Sequence, residues 1–320
     1  MGANIQNSDL PRPLVFLFDI LEVIFYFIVG CVQAILPSNV LPQADYNGDV
    51  VLITGAGGGL GRKLAVLYAK RGAKLILWDL NQGMNEATKK LVEAEGGEAH
   101  CFHVDISERE AIYKNAEESI KIYGHVDMLI NNAGIVTGKT FFECPDELME
   151  KTMKVNTHSL FYLTKAILPQ MIERDKGHIV TICSMAGKVG VKGLIDYCAS
   201  KFGAVGFSES LRAELRSRSK NLHVTVVCPY YINTGMFSGV QSSSPHVLPI
   251  LDVDYVAERI VEATATKQIV LYLPRFCYFT MILKEFFPTQ AGEKIASMVG
   301  IHRELDGFYT KRQSQAVETN

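Results

Sequence analysis

The chain has 320 residues, of which 48% are hydrophobic and 21% are charged, and its formal net charge is -2. This length and composition are typical of one large globular domain or two small ones. A charge near zero, without any run of Lys or Arg, argues against nucleic-acid binding. The seven cysteines are scattered and never spaced as C-x-x-C, which predicts reduced thiols and a domain that faces the cytosol. No His, Cys or Asp cluster has the spacing of metal ligands, so we expect no metal site.

An apolar run near the N-terminus is the first predicted element. Residues 14–36 are interrupted only by Asp19, Glu22 and Gln33. The run is long enough to span a bilayer and too long for a cleaved signal peptide. Because each carboxylate would cost about 2.5 to 3.5 kcal/mol at the bilayer centre, both a single span and a helix or hairpin within one leaflet stay open. A buried core helix is the third alternative.

A glycine-rich turn follows the first apolar strand pattern. Residues 49–54 predict a buried strand, residues 55–61 are rich in glycine, and a helical pattern follows. Glycines let the backbone turn sharply and approach a pyrophosphate, which then faces the N-terminus of the helix. The order strand, turn, helix therefore predicts a dinucleotide site. The residues expected to contact it here are Gly55, Gly59, Leu60 and Gly61.

The next strand predicts which dinucleotide is bound. It ends in Asp79, 24 residues after Gly55. A carboxylate at this place holds the ribose 2'-hydroxyl of NAD and repels the 2'-phosphate of NADP. Arg62 is a nearby cation that would weaken the preference. The sequence favours NAD over NADP.

Strands and helices continue to alternate after Asp79. A helix at 82–95, a strand ending at Asp105, a helix at 107–123 and a strand at 126–130 follow in turn. This alternation predicts an α/β fold with a Rossmann-like, doubly wound parallel sheet in a single domain. Asp105 lies at the ligand-binding edge of such a sheet, where it either contacts the adenine or caps the next helix.

A tyrosine and a lysine four residues apart form the candidate catalytic pair. Tyr197 and Lys201 share one face if their segment is helical. Lowering a tyrosine pKa from about 10 to about 7 requires about 4 kcal/mol. An ammonium about 4 Å away at an effective dielectric near 20 supplies roughly the same energy. The pair is therefore suited to proton transfer, although the spacing alone is common.

Several motifs together resemble the short-chain dehydrogenase/reductase family. Asn131-Asn132-Ala133-Gly134 ends a strand, and Ser184 precedes Tyr197 by 13 residues. With the glycine turn, Asn156 and Lys201, the resemblance covers residues 49–273. Within the family, the N-terminus and residues 77–79, 135–150 and 248–251 are similar to membrane-associated retinol dehydrogenases and lipid-droplet 17β-hydroxysteroid dehydrogenases of types 11 and 13.

The resemblance implies roles for individual residues. Tyr197 is expected to be the general acid/base, and Lys201 to lower its pKa and bind the nicotinamide ribose. Ser184, together with Tyr197, is expected to hold the substrate oxygen, and Asn156 to bend its helix and position a water that relays protons. Further cofactor contacts are expected from Asn132, Ala133, Gly134, Pro229, Ile232 and Thr234.

Some residues depart from the family pattern or have a simpler interpretation. Tyr230 replaces the family's glycine after Pro229. This narrows the range of backbone conformations available at residue 230 and brings an aromatic ring to the substrate cleft. His158 and His178 are expected to be structural, because the tyrosine and lysine already fill the acid/base role. Cys198 is expected to be a buried, inert thiol.

The C-terminal part contains two apolar segments. Residues 235–251 predict either a mobile lid over an apolar substrate or a plain surface loop. A helix at 253–266 and a strand at 269–273 complete the sheet, and residues 276–287 suit a membrane-surface helix, a pocket wall or a dimer contact. We expect disorder from residue 310 onwards. The predicted regions are an anchor and linker (1–45), the dehydrogenase domain (46–273), a cleft or membrane-contact region (274–309) and a polar tail (310–320).

These expectations define the predicted function. The favoured hypothesis is an NAD-dependent dehydrogenase of a membrane-dissolved alcohol, with retinol oxidised to retinal. A 17β-hydroxysteroid dehydrogenase is the second enzyme hypothesis, and a non-catalytic scaffold on a lipid droplet or membrane is the alternative from another class. The resemblance also implies a homodimer at the endoplasmic reticulum membrane or the lipid-droplet surface, with the catalytic domain facing the cytosol.

Overall fold

The computed structural model describes residues 11–35 and 45–299. The chain divides into two compact units, Met1–Leu41 and Pro42–Asn320. The linker expected around Pro37 and Pro42 and the polar tail expected from residue 310 both lie outside the described residues.

The first unit contains one long apolar helix, α1 (Arg12–Ile35). Within it, Arg12–Val32 is long and apolar enough to cross a membrane, and none of that stretch is buried inside the protein. The hydroxyl of Tyr26 donates a hydrogen bond to Glu22 Oε1 (2.9 Å), one turn away. The helix is continuous over Arg12–Ile35, so no hairpin turn falls within these residues. A single span and a helix lying in one leaflet both remain compatible with it.

The second unit is built on a sheet of seven parallel strands in the order β3-β2-β1-β4-β5-β6-β7. The chain runs outward from β1 in both directions, so the sheet is doubly wound as predicted. The strands are β1 (Val50–Thr54), β2 (Lys74–Asp79), β3 (Glu98–His103), β4 (Met128–Asn131), β5 (Gly177–Ile182), β6 (Leu222–Pro229) and β7 (Val270–Leu273).

Helices cover both faces of this sheet. One core packs β1 and its neighbours against α2 and α8, and the other packs the opposite face against α4, α6 and α7. Every residue of β1, β4 and β5 is buried, as is typical of strands covered on both sides. The helices are α2 (Gly59–Ala69), α3 (Gln82–Ala94), α4 (Arg109–Tyr123), α5 (Asp146–Met153), α6 (Ser159–Glu173), α7 (Ile195–Arg218), α8 (Val253–Ala265), α9 (Phe276–Phe286) and α10 (Thr289–Val299).

His178 has a structural role in this core. It is buried on β5, and its Nε2 lies 2.8 Å from Thr225 Oγ1 on β6. Burial, helped by the neighbouring His223 and Lys267, lowers the pKa of His178 to about 3. The ring is therefore neutral in the folded protein.

This burial predicts a loss of stability in acid. A histidine in the unfolded chain binds a proton below about pH 6.5, whereas folded His178 does not, so stability falls as the pH drops from about 6.5 towards 3. His178→Gln should flatten the fall of Tm between pH 6.5 and 4, and the exposed His158→Gln should not. An unchanged slope for His178→Gln would contradict this role.

Candidate active site

The glycine turn after β1 leaves no room for a side chain at Gly55 or Gly61. Gly55 has φ +65°, and a Cβ added there would lie 2.8 Å from Ala133 Cα. A Cβ on Gly61 would lie 2.1 Å from the carbonyl oxygen of Gly55. Gly58 precedes α2 and forms no side-chain cap, so no side chain occupies the N-terminus of the helix. An uncapped helix N-terminus behind a close-packed glycine turn fits a pyrophosphate.

The carboxyl ends of β1 and β4 are tied together beside this turn. Thr54 Oγ1 accepts hydrogen bonds from the backbone N–H groups of Asn132 and Ala133 (3.1 Å each). The side-chain Nδ2 of Asn132 in turn donates to the carbonyl oxygens of Thr54 (2.9 Å) and Gly55 (3.1 Å). The strand order reverses between these two strands, and ligands bind at such a switch point in open α/β sheets.

Asp79 lies at the end of β2 and lines the same crevice. Its Oδ2 accepts from Gly57 N (2.8 Å) and its Oδ1 from Asn81 N (2.8 Å), so the backbone fixes the carboxylate. Arg62 donates to the carbonyl oxygen of Gly57 (3.1 Å) and to Thr88 Oγ1 (3.3 Å). The guanidinium therefore braces the glycine turn. Selection of a free ribose hydroxyl by Asp79 stays a prediction.

The charge of Asp79 can be tested while one of its two hydrogen bonds is kept. Asp79→Asn keeps an oxygen for Gly57 N, loses the acceptor of Asn81 N and removes the repulsion of a 2'-phosphate. We expect the ratio of kcat/KM with NADP to that with NAD to rise about tenfold, which corresponds to about 1.4 kcal/mol. The exposed Asp146→Asn is the control. If the ratio is the same in Asp79→Asn and the wild type, Asp79 does not select the coenzyme.

Asp105 closes a turn before α4 but does not cap that helix, whose N-cap is Glu108. Its Oδ1 accepts hydrogen bonds from the Ser107 backbone N–H (2.8 Å) and hydroxyl (2.7 Å), so it closes a turn before α4. It also lines the cavity, although α4 itself begins later, at Arg109. The adenine contact stays a prediction.

Ser184, Tyr197 and Lys201 meet at the carboxyl end of β5. Ser184 follows the strand in extended conformation, and its Oγ accepts from Ala186 N (3.1 Å). Tyr197 is in the first turn of α7, is 5% exposed, and its side chain lies beside that of Ser184. Lys201, one turn later, donates from Nζ to the carbonyl oxygen of Ile182 (2.9 Å). Its Nζ lies 5.7 Å from the centroid of the Tyr197 ring.

The pKa of Tyr197 differs from the expectation. Burial raises it above the ordinary value, and the nearby Ser184 side chain lowers it by less. Burial also lowers the pKa of Lys201. The expected depression by Lys201 is therefore absent in the protein alone, because the cost of removing the phenolate from water dominates the pKa of Tyr197 and burial also disfavours the charged form of Lys201.

Asn156 lies behind the cavity and holds its wall in place. It is buried in a π-helical turn (Lys154–His158) between α5 and α6, an irregularity at the position where a bend was expected. Its Oδ1 accepts from Ile135 N (2.8 Å), and its Nδ2 donates to Ile135 O (2.9 Å) and Ser200 Oγ (3.0 Å). Asn156 thus joins the segment after β4 to the catalytic helix. The relay of protons through a water stays a prediction.

One cavity of about 1020 Å³ connects these groups. All predicted cofactor residues line it, whereas Asn156 does not. The half beyond Tyr197 is apolar and extends to α9 and α10. The residues of this half that sequence reasoning did not assign include Val191, Leu194, Tyr231, Met236, Phe237 and Ile295. The predicted residues that line the cavity are Gly55, Gly59, Leu60, Gly61, Asp79, Asp105, Asn132, Ala133, Gly134, Ser184, Tyr197, Lys201, Pro229, Ile232 and Thr234.

Tyr230 is accommodated at the family's glycine position without a left-handed backbone. Among the described residues other than glycine, only Asp175 and Lys267 have positive φ. Tyr230 N donates to Leu273 O (2.7 Å), and its ring packs 4.7 Å from that of Tyr231. It lines the cavity, as expected for an aromatic ring at the cleft.

Helix α9 is a wall of the cavity. Cys277, Met281 and Leu283 line it, while Ile282 and Phe286 point outward and are 69% and 79% exposed. The inner face of α9 lines the cavity, and its role as the wall of a substrate pocket stays a prediction. The outer face leaves the membrane-surface and dimer interpretations open.

Expectations from the sequence also concern His158 and Cys198. His158, expected to have no acid/base role, is exposed. Cys198 is buried, and its sulfur accepts a hydrogen bond from Val191 N (3.4 Å), consistent with an inert thiol.

Comparison with known proteins identifies the family. Residues 49–244 match the short chain dehydrogenase family. The human protein epidermal retinol dehydrogenase 2 is 44% identical over 319 residues, covering 98% of this chain and 99% of its own. Human retinol dehydrogenase 10 is 40% identical, covering 85% and 88%. A crystal structure of a short chain dehydrogenase/reductase from Burkholderia phymatum in complex with NAD is 25% identical, with a TM-score of 0.69, and covers 76% of this chain and 95% of its own.

The chain therefore belongs to the short chain dehydrogenase family. Its enzyme class is that of an NAD-dependent alcohol dehydrogenase, in agreement with the acid at the end of β2. The predictions of fold, enzyme class and coenzyme are confirmed.

Proposed function

We propose that this enzyme oxidises a lipophilic alcohol, retinol to retinal, at the carboxyl end of β5. The observation that carries the proposal is the position of Ser184 and Tyr197 in the cavity, between its glycine-lined half and its largely apolar half. An apolar alcohol in the second half brings its oxygen to these two side chains. The names of the relatives, which are retinol dehydrogenases, support retinol as the substrate.

Three side chains, those of Ser184, Tyr197 and Lys201, take part in the proposed proton transfer. Ser184 holds the alcohol oxygen, and Tyr197 removes its proton as general base. Lys201, anchored by the Ile182 carbonyl, stabilises the phenolate and binds the nicotinamide ribose. NAD, when bound, supplies the hydride acceptor and a positive charge. The residues that would hold it are those of the glycine turn, Asp79 and the ends of β4 and β6. The absence of a side chain at the two glycines Gly55 and Gly61 fits that role.

Membrane association is part of the same proposal. A lipophilic alcohol partitions into lipid, so an enzyme anchored there meets a higher substrate concentration. Helix α1 is the anchor, either as a single span or within one leaflet, at the endoplasmic reticulum membrane or a lipid droplet with the domain in the cytosol. We also propose a homodimer, by analogy with the family.

A substrate panel tests the proposed function. Membranes containing the full-length chain are assayed with NAD or NADP against retinol, estradiol and a long-chain primary alcohol. We expect the highest kcat/KM for retinol with NAD. Turnover of the steroid alone would favour the 17β-hydroxysteroid dehydrogenase hypothesis and contradict retinol. Absence of turnover with every alcohol, in protein that binds NAD, would favour the scaffold hypothesis.

A further inference from the structure

A tight turn between β6 and α8 presents an aromatic side chain to the catalytic tyrosine. Phe237 lies between Gly235 and Gly239, whose φ angles are +88° and +100°. Hydrogen bonds from Ser238 N to Gly235 O (3.2 Å) and from Val240 N to Phe237 O (3.1 Å) close the turn. Glycine adopts this left-handed backbone without strain. The turn therefore fixes the place of Phe237 within the segment 235–251.

The Phe237 ring packs edge-to-face against Tyr197. Their centroids are 5.6 Å apart and their planes meet at 80°. A second edge-to-face contact, at 5.1 Å and 73°, joins Phe237 to Tyr231. Val240, three residues later, is buried in the same cluster as Tyr197. Aromatic pairs of this geometry favour a defined mutual orientation, so the segment 235–251 contributes to the orientation of the Tyr197 ring.

The orientation of that ring matters for proton transfer. The base must come within about 2.6 to 3.2 Å of the proton donor's heavy atom. The ring torsion of a tyrosine is broad unless neighbours restrict it, and it sets the ring plane in which the phenolic O–H lies, and so the direction of proton transfer. The helix fixes only the backbone of Tyr197, while Ser184 contacts the far end of its side chain. Phe237 contacts the ring between these two points and also lines the cavity, so it limits access of water to the ring.

We propose that Phe237 is a positioning residue, which holds the ring of Tyr197 towards Ser184 and the substrate oxygen. This role rests on the proposed function, since it requires Tyr197 to be the acid/base. It makes full catalytic rate depend on the 235–239 turn being packed on the catalytic helix, and so couples the segment over the substrate to the proton-transfer group.

The test compares variants that keep or remove the ring. Phe237→Leu keeps an apolar side chain and should lower kcat about three- to tenfold, with KM for NAD unchanged. Phe237→Tyr keeps the ring and should stay within about twofold of the wild type. Phe142→Leu, at a side chain that is 97% exposed, is the matched control and should leave kcat unchanged.

The pH profile gives a second readout. It would not change if Phe237 were only part of the wall of the substrate cleft. Burial raises the pKa of Tyr197. Opening its ring to water in Phe237→Leu should bring that pKa down, so the rise of kcat with pH should occur at lower pH than in the wild type.

The outcomes separate this role from the proposed function. A Phe237→Leu variant with wild-type kcat, or with its whole loss in KM for the alcohol and an unmoved pH profile, overturns the role. So does a Phe237→Tyr variant as slow as Phe237→Leu. If Phe237→Leu has a reduced Tm, Phe237→Met is measured in the same way. Tyr197→Phe is assayed in parallel. If Tyr197→Phe is active, the proposed function is contradicted. If Tyr197→Phe is inactive and Phe237→Leu is unaffected, only the role of Phe237 is contradicted.

Discussion

Replacing Tyr197 by Phe is expected to lower kcat for alcohol oxidation by about 10² to 10⁴-fold, the usual range for loss of a general acid/base. The change removes only the hydroxyl, which lies beside Ser184, and leaves the ring that packs against Phe237. The apolar environment that raises the pKa of Tyr197 accommodates a phenylalanine ring, so the fold should be unaffected. The rate is measured by NADH absorbance with retinol as substrate.

The control for this variant is a tyrosine on the surface of the same domain. Tyr113→Phe, on α4 and 40% exposed, should leave kcat and Tm unchanged. NAD affinity of Tyr197→Phe should stay within a few-fold of the wild type, since the remaining contacts of the dinucleotide half are intact. Retention of wild-type retinol oxidation by Tyr197→Phe would show that another group carries the proton.

Replacing Gly61 by Ala is expected to have the largest effect on the dinucleotide half. The added Cβ would lie 2.1 Å from the Gly55 carbonyl oxygen and 2.9 Å from Ala56 Cα, and both are backbone atoms that cannot rotate away. The turn must then open. We expect a fall in Tm of about 5 to 10 °C, from an overpacking cost of about 1 to 3 kcal/mol, and at least a tenfold weaker NAD affinity.

A second glycine provides the matched comparison for Gly61. Gly206 is exposed on α7, and a Cβ added there meets nothing within 4 Å. Gly206→Ala should therefore keep or raise Tm by favouring the helix, with NAD affinity unchanged. An unchanged Tm and NAD affinity in Gly61→Ala would contradict a close-packed turn as the pyrophosphate site.

The features predicted correctly from the sequence depend on local patterns. The glycine turn after β1 and the four-residue spacing of Tyr197 and Lys201 are set by the geometry of one strand and one helix, so their chemistry is visible without a fold. The strand bounds follow from buried apolar runs, and β2 ends at Asp79 as expected. The 13-residue offset of Ser184 carried information only through the family resemblance.

The features that were missed depend on residues distant in sequence. The pKa of Tyr197 is raised because tertiary packing buries it, and the spacing to Lys201 contains no measure of burial. Asn156 bonds to Ile135, 21 residues away, and no local pattern indicates that contact. Phe237 meets Tyr197 across 40 residues. The only signal for it in the sequence is an aromatic residue between two glycines, Gly235 and Gly239, which indicates a tight turn but not its partner.

Transfer of deuterium from the substrate to the coenzyme tests the central claim most directly. The full-length protein in membranes is incubated with NAD and retinol carrying deuterium on the carbinol carbon, and the reduced coenzyme is analysed by mass spectrometry. We expect reduced NAD with one added deuterium, formed by the wild type and almost absent with Tyr197→Phe. Reduced NAD without deuterium, or equal labelling by both proteins, would contradict oxidation of the alcohol at the Tyr197 site.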